Sequence, residues 1–192
     1  MSSPRLILAS ASPRRQALLR QLGLEADVIT ADIDETPLPD EAAERYVERL
    51  AQAKAETVAG RFPKAVIIAA DTIIALDGNL LGKPRSKEDA MRMWRQMSGR
   101  EHWVLTAVAV TGPQGDAVVL NRNRVVFAEL GDESMEAYWQ TGEPEDKAGA
   151  YAIQGYAACW IKYIEGSYSG IMGLPLYETA ELLHHQGIKT LL

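Results

Sequence analysis

Two adjacent arginines follow a run of small residues near the start of the sequence, in the segment Ala9-Ser-Ala-Ser-Pro-Arg-Arg15. Ser12 and Pro13 are residue types that begin helices, which places Arg14 and Arg15 in a first helical turn. Backbone N–H groups at a helix start attract anions, and arginine adds charge-assisted hydrogen bonds to phosphate oxygens. The segment predicts a phosphate site, with a surface helix whose arginines face water as the simpler alternative.

A single carboxylate interrupts an apolar stretch in the middle of the sequence, where Asp71 lies within residues 65–76. An ionised carboxylate in an apolar strand is costly unless a partner, a metal or solvent receives it. Asp71 is therefore a candidate general base or metal ligand. The alternative is an aspartate that caps a turn at a strand end, which the apolar residues beyond it disfavour.

Three further carboxylates lie close together in a polar segment broken by prolines: Asp32, Asp34 and Glu35. Divalent cations such as Mg²⁺ prefer oxygen ligands of this kind. Acidic loops are usually only solvated, so this cluster alone is weak evidence for a metal.

Two lysines occupy positions from which a charge can enter a cleft. Lys54 follows Leu50 by four residues on the apolar face of a predicted helix, where it either snorkels to solvent or points inward. Lys83 is fixed between a glycine and a proline. The surrounding residues do not form a Walker A loop, which requires Gly-x-x-x-x-Gly-Lys-Ser/Thr.

The segment Asp146-Lys-Ala-Gly-Ala-Tyr-Ala-Ile-Gln-Gly155 combines small residues with one amide side chain, Gln154. Small residues allow a close approach of backbone to a ligand, and glutamine offers both a donor and an acceptor. A uracil or thymine edge presents acceptor, donor and acceptor groups, so the Gln154 amide can match two adjacent positions.

The elements that would position these residues alternate between strand and helix at the start and form hairpins in the middle. Hairpin strands run antiparallel, so we predict an α/β fold with a mixed sheet. The predicted strands cover residues 5–9, 26–33, 65–76, 103–111, 118–127 and 157–164, with a short hairpin turn at 77–79. The predicted helices begin after Ser12, after Asp40 as N-cap, and at about residues 86, 132 and 176.

The composition limits the classes of function. A chain of 192 residues with 47% hydrophobic content can form one domain over residues 1–192, and its net charge of −6 disfavours nucleic-acid binding. Cys159 is the only cysteine, which excludes an intramolecular disulfide and fits a cytoplasmic protein. No apolar run is long enough for a membrane span, so we expect no membrane association.

Five motifs occur together in one order: Ser10–Arg15, Ala70–Thr72, Gly82–Pro84, Asp146–Gly155 and Gly166–Pro175. In this order and spacing they resemble the Maf family across nearly the whole chain. The resemblance implies a two-lobed mixed sheet flanked by helices, like that of the inosine triphosphate pyrophosphatases, with a nucleotide cleft between the lobes. It also implies a divalent cation, Mg²⁺ or Mn²⁺, on the phosphates and the possibility of a homodimer.

The resemblance further implies an activity. Thr72 and Gln154 match the branch that hydrolyses dTTP and UTP, and possibly modified uridine triphosphates, to the monophosphate and pyrophosphate. Such an enzyme removes these small-molecule nucleotides before polymerases use them. The sister branch, which acts on 7-methyl-GTP, differs at these positions.

Site roles follow from the same resemblance. The carried-over residues are Asp71 as proton acceptor for the attacking water, Arg14, Thr72 and Gln154 for base choice, Ser12, Arg15, Lys54 and Lys83 for phosphate, and Glu35 for the metal. Physical reasoning makes Arg14 a phosphate ligand and the family makes it a specificity residue, so both roles stay open. The alternative function is a non-hydrolytic nucleotide-binding regulator of septum formation, which the same pocket would serve.

Overall fold

A seven-stranded mixed β-sheet organises the chain in the computed structural model, which describes residues 4–191. The strand order is β2-β1-β3-β5-β6-β7, and β4 also pairs with β3. Strand β1 runs parallel to both β2 and β3, and the remaining pairs are antiparallel. The strands are β1 (Leu6–Leu8), β2 (Asp27–Val28), β3 (Val66–Leu76), β4 (Asn79–Leu81), β5 (Glu101–Gly112), β6 (Gly115–Phe127) and β7 (Ile161–Glu165).

Six α-helices flank this sheet in the described chain. They are α1 (Pro13–Gln21), α2 (Ala43–Ala59), α3 (Lys87–Met97), α4 (Asp132–Trp139), α5 (Tyr168–Met172) and α6 (Leu176–His185). Three short 3₁₀ turns lie between α4 and β7, at Glu143–Asp146, Ala148–Ala150 and Tyr156–Trp160. Within residues 4–191, no helix combines the length and the apolar content that crossing a membrane requires.

Three buried clusters divide the core because successive strand residues face opposite sides of the sheet. Odd-numbered residues of β3, such as Ile67 and Ala69, pack against α2 on one face. On the other face, Val66 and Ile68 pack with α1 and α6, whereas Ile74 packs with α3 and α4 at the far end of the strand. The predicted α/β fold with a mixed, helix-flanked sheet is thus confirmed.

One edge of β3 is shared by two strands that do not meet. β1 pairs with residues 66–68 of β3 and β4 pairs with residues 74–76, while β5 fills the opposite edge from residue 67 to 75. Among the described residues, no strand therefore lies beside residues 70–73 on the β1 and β4 edge. This opening separates the two lobes and places Asp71 and Thr72 at its centre.

Several predicted boundaries were wrong. Asp40 is not the N-cap of α2, because the helix begins at Ala43 and Asp40 lies in a turn with φ of 56°. The last strand begins at Ile161 and not at 157, since residues 156–160 form a 3₁₀ turn. Helix α5 was not predicted. The hairpin of β5 and β6 is confirmed, with strands that extend further than expected.

Candidate active site

A cleft of about 680 Å³ opens at the gap beside β3. The nine residues to which the sequence analysis gave site roles all line it, although they come from six separate parts of the chain, whereas Asp32 and Asp34 do not line it. Their placement together is a finding, and their individual roles stay predictions. The nine are Ser12, Arg14, Arg15, Glu35, Lys54, Asp71, Thr72, Lys83 and Gln154.

Asp71 and Thr72 are neighbours in β3, so their side chains leave the strand on opposite faces. Asp71 points toward α2, where it meets Lys54, and Thr72 points toward α1, where it meets Arg15. The cleft thus has access to both faces of the sheet at the gap. A ligand that fills it can contact the two residues together.

Lys54 bridges two carboxylates. Its Nζ lies 2.6 Å from Oδ1 of Asp71 and 2.6 Å from Oε1 of Glu35. The side chains of Lys54 and Asp71 are 14% and 13% exposed, whereas that of Glu35 is 54% exposed. The Lys54 ammonium compensates the negative charge of Asp71, which is largely shielded from water. This ion pair explains how an apolar strand accommodates Asp71.

The segment that carries Glu35 has no regular secondary structure and is tied to α2. The Tyr46 hydroxyl donates to the backbone carbonyl of Glu35 at 2.8 Å. Arg49 donates to the carbonyl of Thr36 and to both oxygens of Glu41, and its hydrogen bond lowers the pKa of Glu41 to about 2. These contacts place the Glu35 carboxylate opposite Lys54.

Arg15 is held by three protein acceptors. Its Nε donates to the Gly173 carbonyl at 2.8 Å, Nη1 to Ser10 Oγ at 3.2 Å and Nη2 to Thr72 Oγ1 at 3.1 Å. Burial lowers the pKa of the Arg15 guanidinium, and the Asp71 carboxylate acts in the opposite direction. Of its five N–H groups, two remain for a ligand.

The Thr72 hydroxyl belongs to a chain of hydrogen bonds with a fixed direction. Thr106 donates to the Gly170 carbonyl at 2.8 Å, so Thr72 must be the donor in its 3.0 Å contact with Thr106. Thr72 accepts from Arg15 in turn. Its hydroxyl proton is therefore committed to the protein and one oxygen lone pair is left for a ligand.

The N-terminus of α1 opens into the cleft. Ser12 is the N-cap residue and Pro13 follows it, as predicted, but within residues 4–191 the Ser12 side chain accepts no capping hydrogen bond. The first-turn N–H groups of Arg14 and Arg15 lack an intrahelical acceptor because of their position in the helix. An anion in the cleft can receive them.

Arg14 faces an acid across the cleft. Its Nη1 lies 3.7 Å from Oδ2 of Asp146. Burial raises the pKa of Asp146, but the hydrogen bond and charge of Lys147, together with Arg14, outweigh burial, so the net pKa is lowered. Arg14 thus comes from the α1 lobe and Asp146 from the opposite lobe.

The loop that carries Lys83 is joined to the loop after Lys147. The Gly149 N–H donates to the Gly82 carbonyl at 2.9 Å. Gly149 has φ of 64°, and a Cβ there would lie 2.3 Å from Cδ1 of Ile74, so only glycine fits without a shift. The lysine and the Asp146–Gly155 segment are therefore positioned together.

Gln154 lies at the third position of a turn that the Gly155 N–H closes onto the Ala152 carbonyl at 3.1 Å. Its side chain is exposed in the cleft and, in the part of the chain that the structure describes, makes no hydrogen bond. The amide is available to a ligand. Nearby, the buried Tyr151 hydroxyl contacts His102 Nε2 at 2.8 Å, and burial raises the Tyr151 pKa.

The carboxylates of the cleft suit a metal ion that is bound partly by a phosphate ligand. They do not form a site in which protein side chains alone hold the metal. Residues 4–191 contain no group of three or more His, Cys, Asp or Glu side chains arranged for a metal. Mg²⁺ typically takes one or two carboxylates, with phosphate oxygens and water completing its shell. Glu35 is the fitting ligand, because it is half exposed and Lys54 contacts only one of its oxygens.

Several cleft residues were missed by sequence reasoning. Tyr46 lines the cleft but was given no role from the sequence, and Thr106, which contacts Thr72 without lining the cleft itself, lies in a strand with no chemical signal. Asp146 and Lys147 stand in a recognised motif but received no role. Ser10 was likewise treated as a small residue, although its hydroxyl binds Arg15.

The cleft places cationic side chains and helix N–H groups around the Asp71 carboxylate, which contacts the Lys54 ammonium. Such an arrangement can bind a polyphosphate and activate water against it. The amide on the opposite wall can read the edge of a planar group.

Comparisons with known proteins place this geometry in context. Residues 5–186 of this chain match the sequence model of a protein family that is described as Maf-like protein. The dTTP/UTP pyrophosphatase of Myxococcus xanthus (strain DK1622) is 52% identical, with 95% of this chain and 93% of that protein covered. The dTTP/UTP pyrophosphatase of Acinetobacter baylyi is 49% identical, with 92% of this chain and 96% of that protein covered.

Among solved structures, the Staphylococcus aureus Ham1 protein has a similar fold. The TM-score is 0.50 at 17% sequence identity, and the match covers 81% of this chain and 90% of that one. At this level of identity the similarity concerns the fold alone.

Proposed function

The chain belongs to the Maf-like protein family, and from that premise we propose that it hydrolyses dTTP and UTP to the nucleoside monophosphate and pyrophosphate. One observation carries this proposal: relatives that are about half identical over more than nine-tenths of both chains are named dTTP/UTP pyrophosphatases. The cleft supports it, because it joins a polyphosphate-binding end to an amide that suits a pyrimidine edge.

The triphosphate is held by the N-terminus of α1, Ser12, Arg15 and Lys83. The two free N–H groups of Arg15 and the first-turn amides of α1 donate to phosphate oxygens. Lys83 supplies a charge from the opposite lobe. Because Arg15 and the α1 amides are held by the protein before the substrate enters, they need little reorganisation as charge develops on the oxygens.

Asp71 accepts the proton of the attacking water. The water oxygen bonds to the α-phosphorus, and the bond from that phosphorus to the oxygen bridging to the β-phosphate breaks, which releases pyrophosphate. Lys54, at 2.6 Å from Asp71, keeps the carboxylate oriented and lies where it can stabilise charge on the phosphoryl oxygens. The proton passes from Asp71 to solvent after product release.

We propose that Glu35 contributes the protein ligand for Mg²⁺ or Mn²⁺. A divalent cation bound there with the phosphates supplies charge stabilisation to the triphosphate. The exposed Glu35 carboxylate and its second oxygen, which Lys54 does not contact, support this assignment.

Gln154 selects the base through its amide, which pairs with adjacent donor and acceptor positions of a uracil or thymine edge. Thr72 offers one oxygen lone pair to the substrate and positions Arg15. Arg14, with Asp146 across the cleft, keeps both candidate roles, phosphate binding and base choice. A cytoplasmic location and a homodimer complete the proposal.

The experiment is pyrophosphate release from a panel of dTTP, UTP, CTP and 7-methyl-GTP, with Mg²⁺, with Mn²⁺ and with a chelator. Metal-dependent release from dTTP and UTP is the expected result. Preference for 7-methyl-GTP contradicts the base assignment. Binding of UTP without release from any nucleotide would instead favour the nucleotide-binding regulator.

A further inference from the structure

The turn that carries Gln154 is held at both ends by one pair of side chains, Tyr138 and Glu143. The Tyr138 hydroxyl accepts from the backbone N–H of Ala152, at the first position of the turn, at 3.2 Å. The same hydroxyl donates to Oε1 of Glu143 at 2.7 Å. Oε2 of Glu143 accepts from the N–H of Tyr156, just after the turn, at 3.3 Å.

The carboxylate of Glu143 also packs against the last residue of the turn. A Cβ added to Gly155 would lie 2.0 Å from Oε2 of Glu143 and 2.2 Å from its Oε1. The glycine therefore lets the carboxylate approach the backbone, and no larger residue fits there without moving Glu143. Hydrogen bonds and close packing thus act on the same segment.

The pair is itself anchored. Tyr138 is 4% exposed and its ring lies 5.3 Å from that of Trp94 and 4.7 Å from that of Trp160. Burial and the Glu143 hydrogen bond raise the Tyr138 pKa, so its hydroxyl stays protonated and able to donate. Trp94 in turn donates to the Ala150 carbonyl at 3.0 Å. The pair connects the turn to the core of its lobe.

By contrast, the Gln154 side chain has no hydrogen-bond partner within residues 4–191. Since no hydrogen bond from these residues holds the amide, its position in the cleft depends on the backbone of the turn from which the side chain extends. An amide selects between bases only if its donor and acceptor meet the base edge at defined positions, and errors of about 1 Å are costly. The contacts that hold the turn in place should therefore also determine which base Gln154 selects.

We propose that Glu143 is a positioning residue for base selection, which holds the Ala152–Gly155 turn so that Gln154 meets the pyrimidine edge. The inference rests on the proposed function. Glu143 makes hydrogen bonds to Tyr138, Lys147 and Tyr156 and, within residues 4–191, none to the residues proposed to bind phosphate or activate water, so we expect it to act on the base end of the substrate.

The quantity to measure is the ratio of kcat/KM for UTP to kcat/KM for CTP. We expect Glu143→Ala to lower this ratio roughly tenfold, mainly through a higher KM for UTP, since one base-edge hydrogen bond is misplaced. Tyr138→Phe removes the hydroxyl that contacts both Glu143 and the Ala152 N–H, so it should lower the same ratio. Glu145→Ala is the matched control, because Glu145 is exposed in the same 3₁₀ turn.

A double-variant cycle separates positioning from general destabilisation. If Glu143 acts through Gln154, Glu143→Ala changes the ratio by less than about twofold once Gln154→Ala is present. Equal effects with and without Gln154 overturn the inference, as does an unchanged ratio in Glu143→Ala. If Glu143→Ala does not fold, Glu143→Gln replaces it, because an amide of the same size has a single acceptor for the two donors it faces.

The wild-type protein distinguishes the two kinds of failure. Absence of metal-dependent pyrophosphate release from UTP in the wild-type protein contradicts the proposed function itself. Release by the wild-type protein, together with an unchanged UTP to CTP ratio in Glu143→Ala, contradicts only the role of Glu143.

Discussion

Lys54 Nζ lies 2.6 Å from Oδ1 of Asp71, and both side chains are less than 15% exposed. Lys54 comes from the covering helix α2 and Asp71 from the central strand β3. Their contact connects the proposed catalytic carboxylate with the helix that covers one face of the sheet. We therefore expect changes at this pair to affect stability and activity together.

Asp71→Asn removes the proposed proton acceptor and almost no volume. We expect kcat for pyrophosphate release to fall by roughly 10²–10⁴-fold, the usual contribution of a positioned acid or base, while UTP binding changes little. Steady-state kinetics and calorimetric titration with UTP check the two halves. Asp116→Asn, at an exposed position near the start of β6, is the control. An Asp71→Asn protein that keeps most of its activity moves the base role to another carboxylate, Glu35 first.

Gln154→Glu places a negative charge where, in the proposed binding mode, uracil presents carbonyl oxygens. We expect kcat/KM for UTP to fall by roughly 10–100-fold, because one donor is lost and a repulsion is gained. The control is Gln52→Glu, which adds the same charge at an exposed position of α2. Unchanged kcat/KM for UTP rules out the contact between Gln154 and the base edge.

Lys54→Met leaves two carboxylates without their shared cation. We expect the free energy of unfolding to fall by about 1–3 kcal/mol, less than for a fully buried pair because water reaches Glu35. Asp71→Asn combined with Lys54→Met should cost less than the sum of the two single changes, since the residues are in contact. Urea denaturation of the four proteins measures this coupling. Additive effects would show that the ion pair contributes nothing to folding.

His102 makes stability depend on pH. Burial lowers its pKa from 6.5 to about 3, so the unfolded chain binds a proton in this window and the native protein does not. Stability therefore decreases as pH falls from 6.5 toward 3, by at most about 1.4 kcal/mol per pH unit. We expect urea midpoints to fall between pH 7 and pH 5 in the wild-type protein and to fall less in His102→Gln. Parallel pH profiles for the two proteins would mean that His102 titrates normally in the native state.

Local patterns predicted most of the elements, and together with the family resemblance they identified nine of the residues that line the cleft. The Ser12-Pro13 start of α1 and the apolar run of β3 carry strong local signals, and both are confirmed. The predicted N-cap of α2 was wrong because Asp40 lies in a turn with a positive φ. Glu41, next to it, accepts from the Leu38 N–H and from Arg49, and no local pattern reveals these contacts.

The contacts that define the site could not be predicted for the same reason. Arg15 and Thr72 are 57 residues apart, and Lys54 and Asp71 are 17 residues apart on different elements. Their meeting depends on the gap left between β1 and β4 on one edge of β3, which is a property of strand order. The role of Glu143 likewise emerges only when the turn folds back onto Tyr138.

The hydrogen bond from Gly149 to Gly82 sets a limit on how this cleft can be redesigned. If the Asp146–Gly155 wall is widened to admit a purine, we expect the loop after β4 that carries Lys83 to be displaced as well, because the two loops share that bond. A change of base preference and a retained grip on the triphosphate therefore have to be designed together, with compensating changes on both loops.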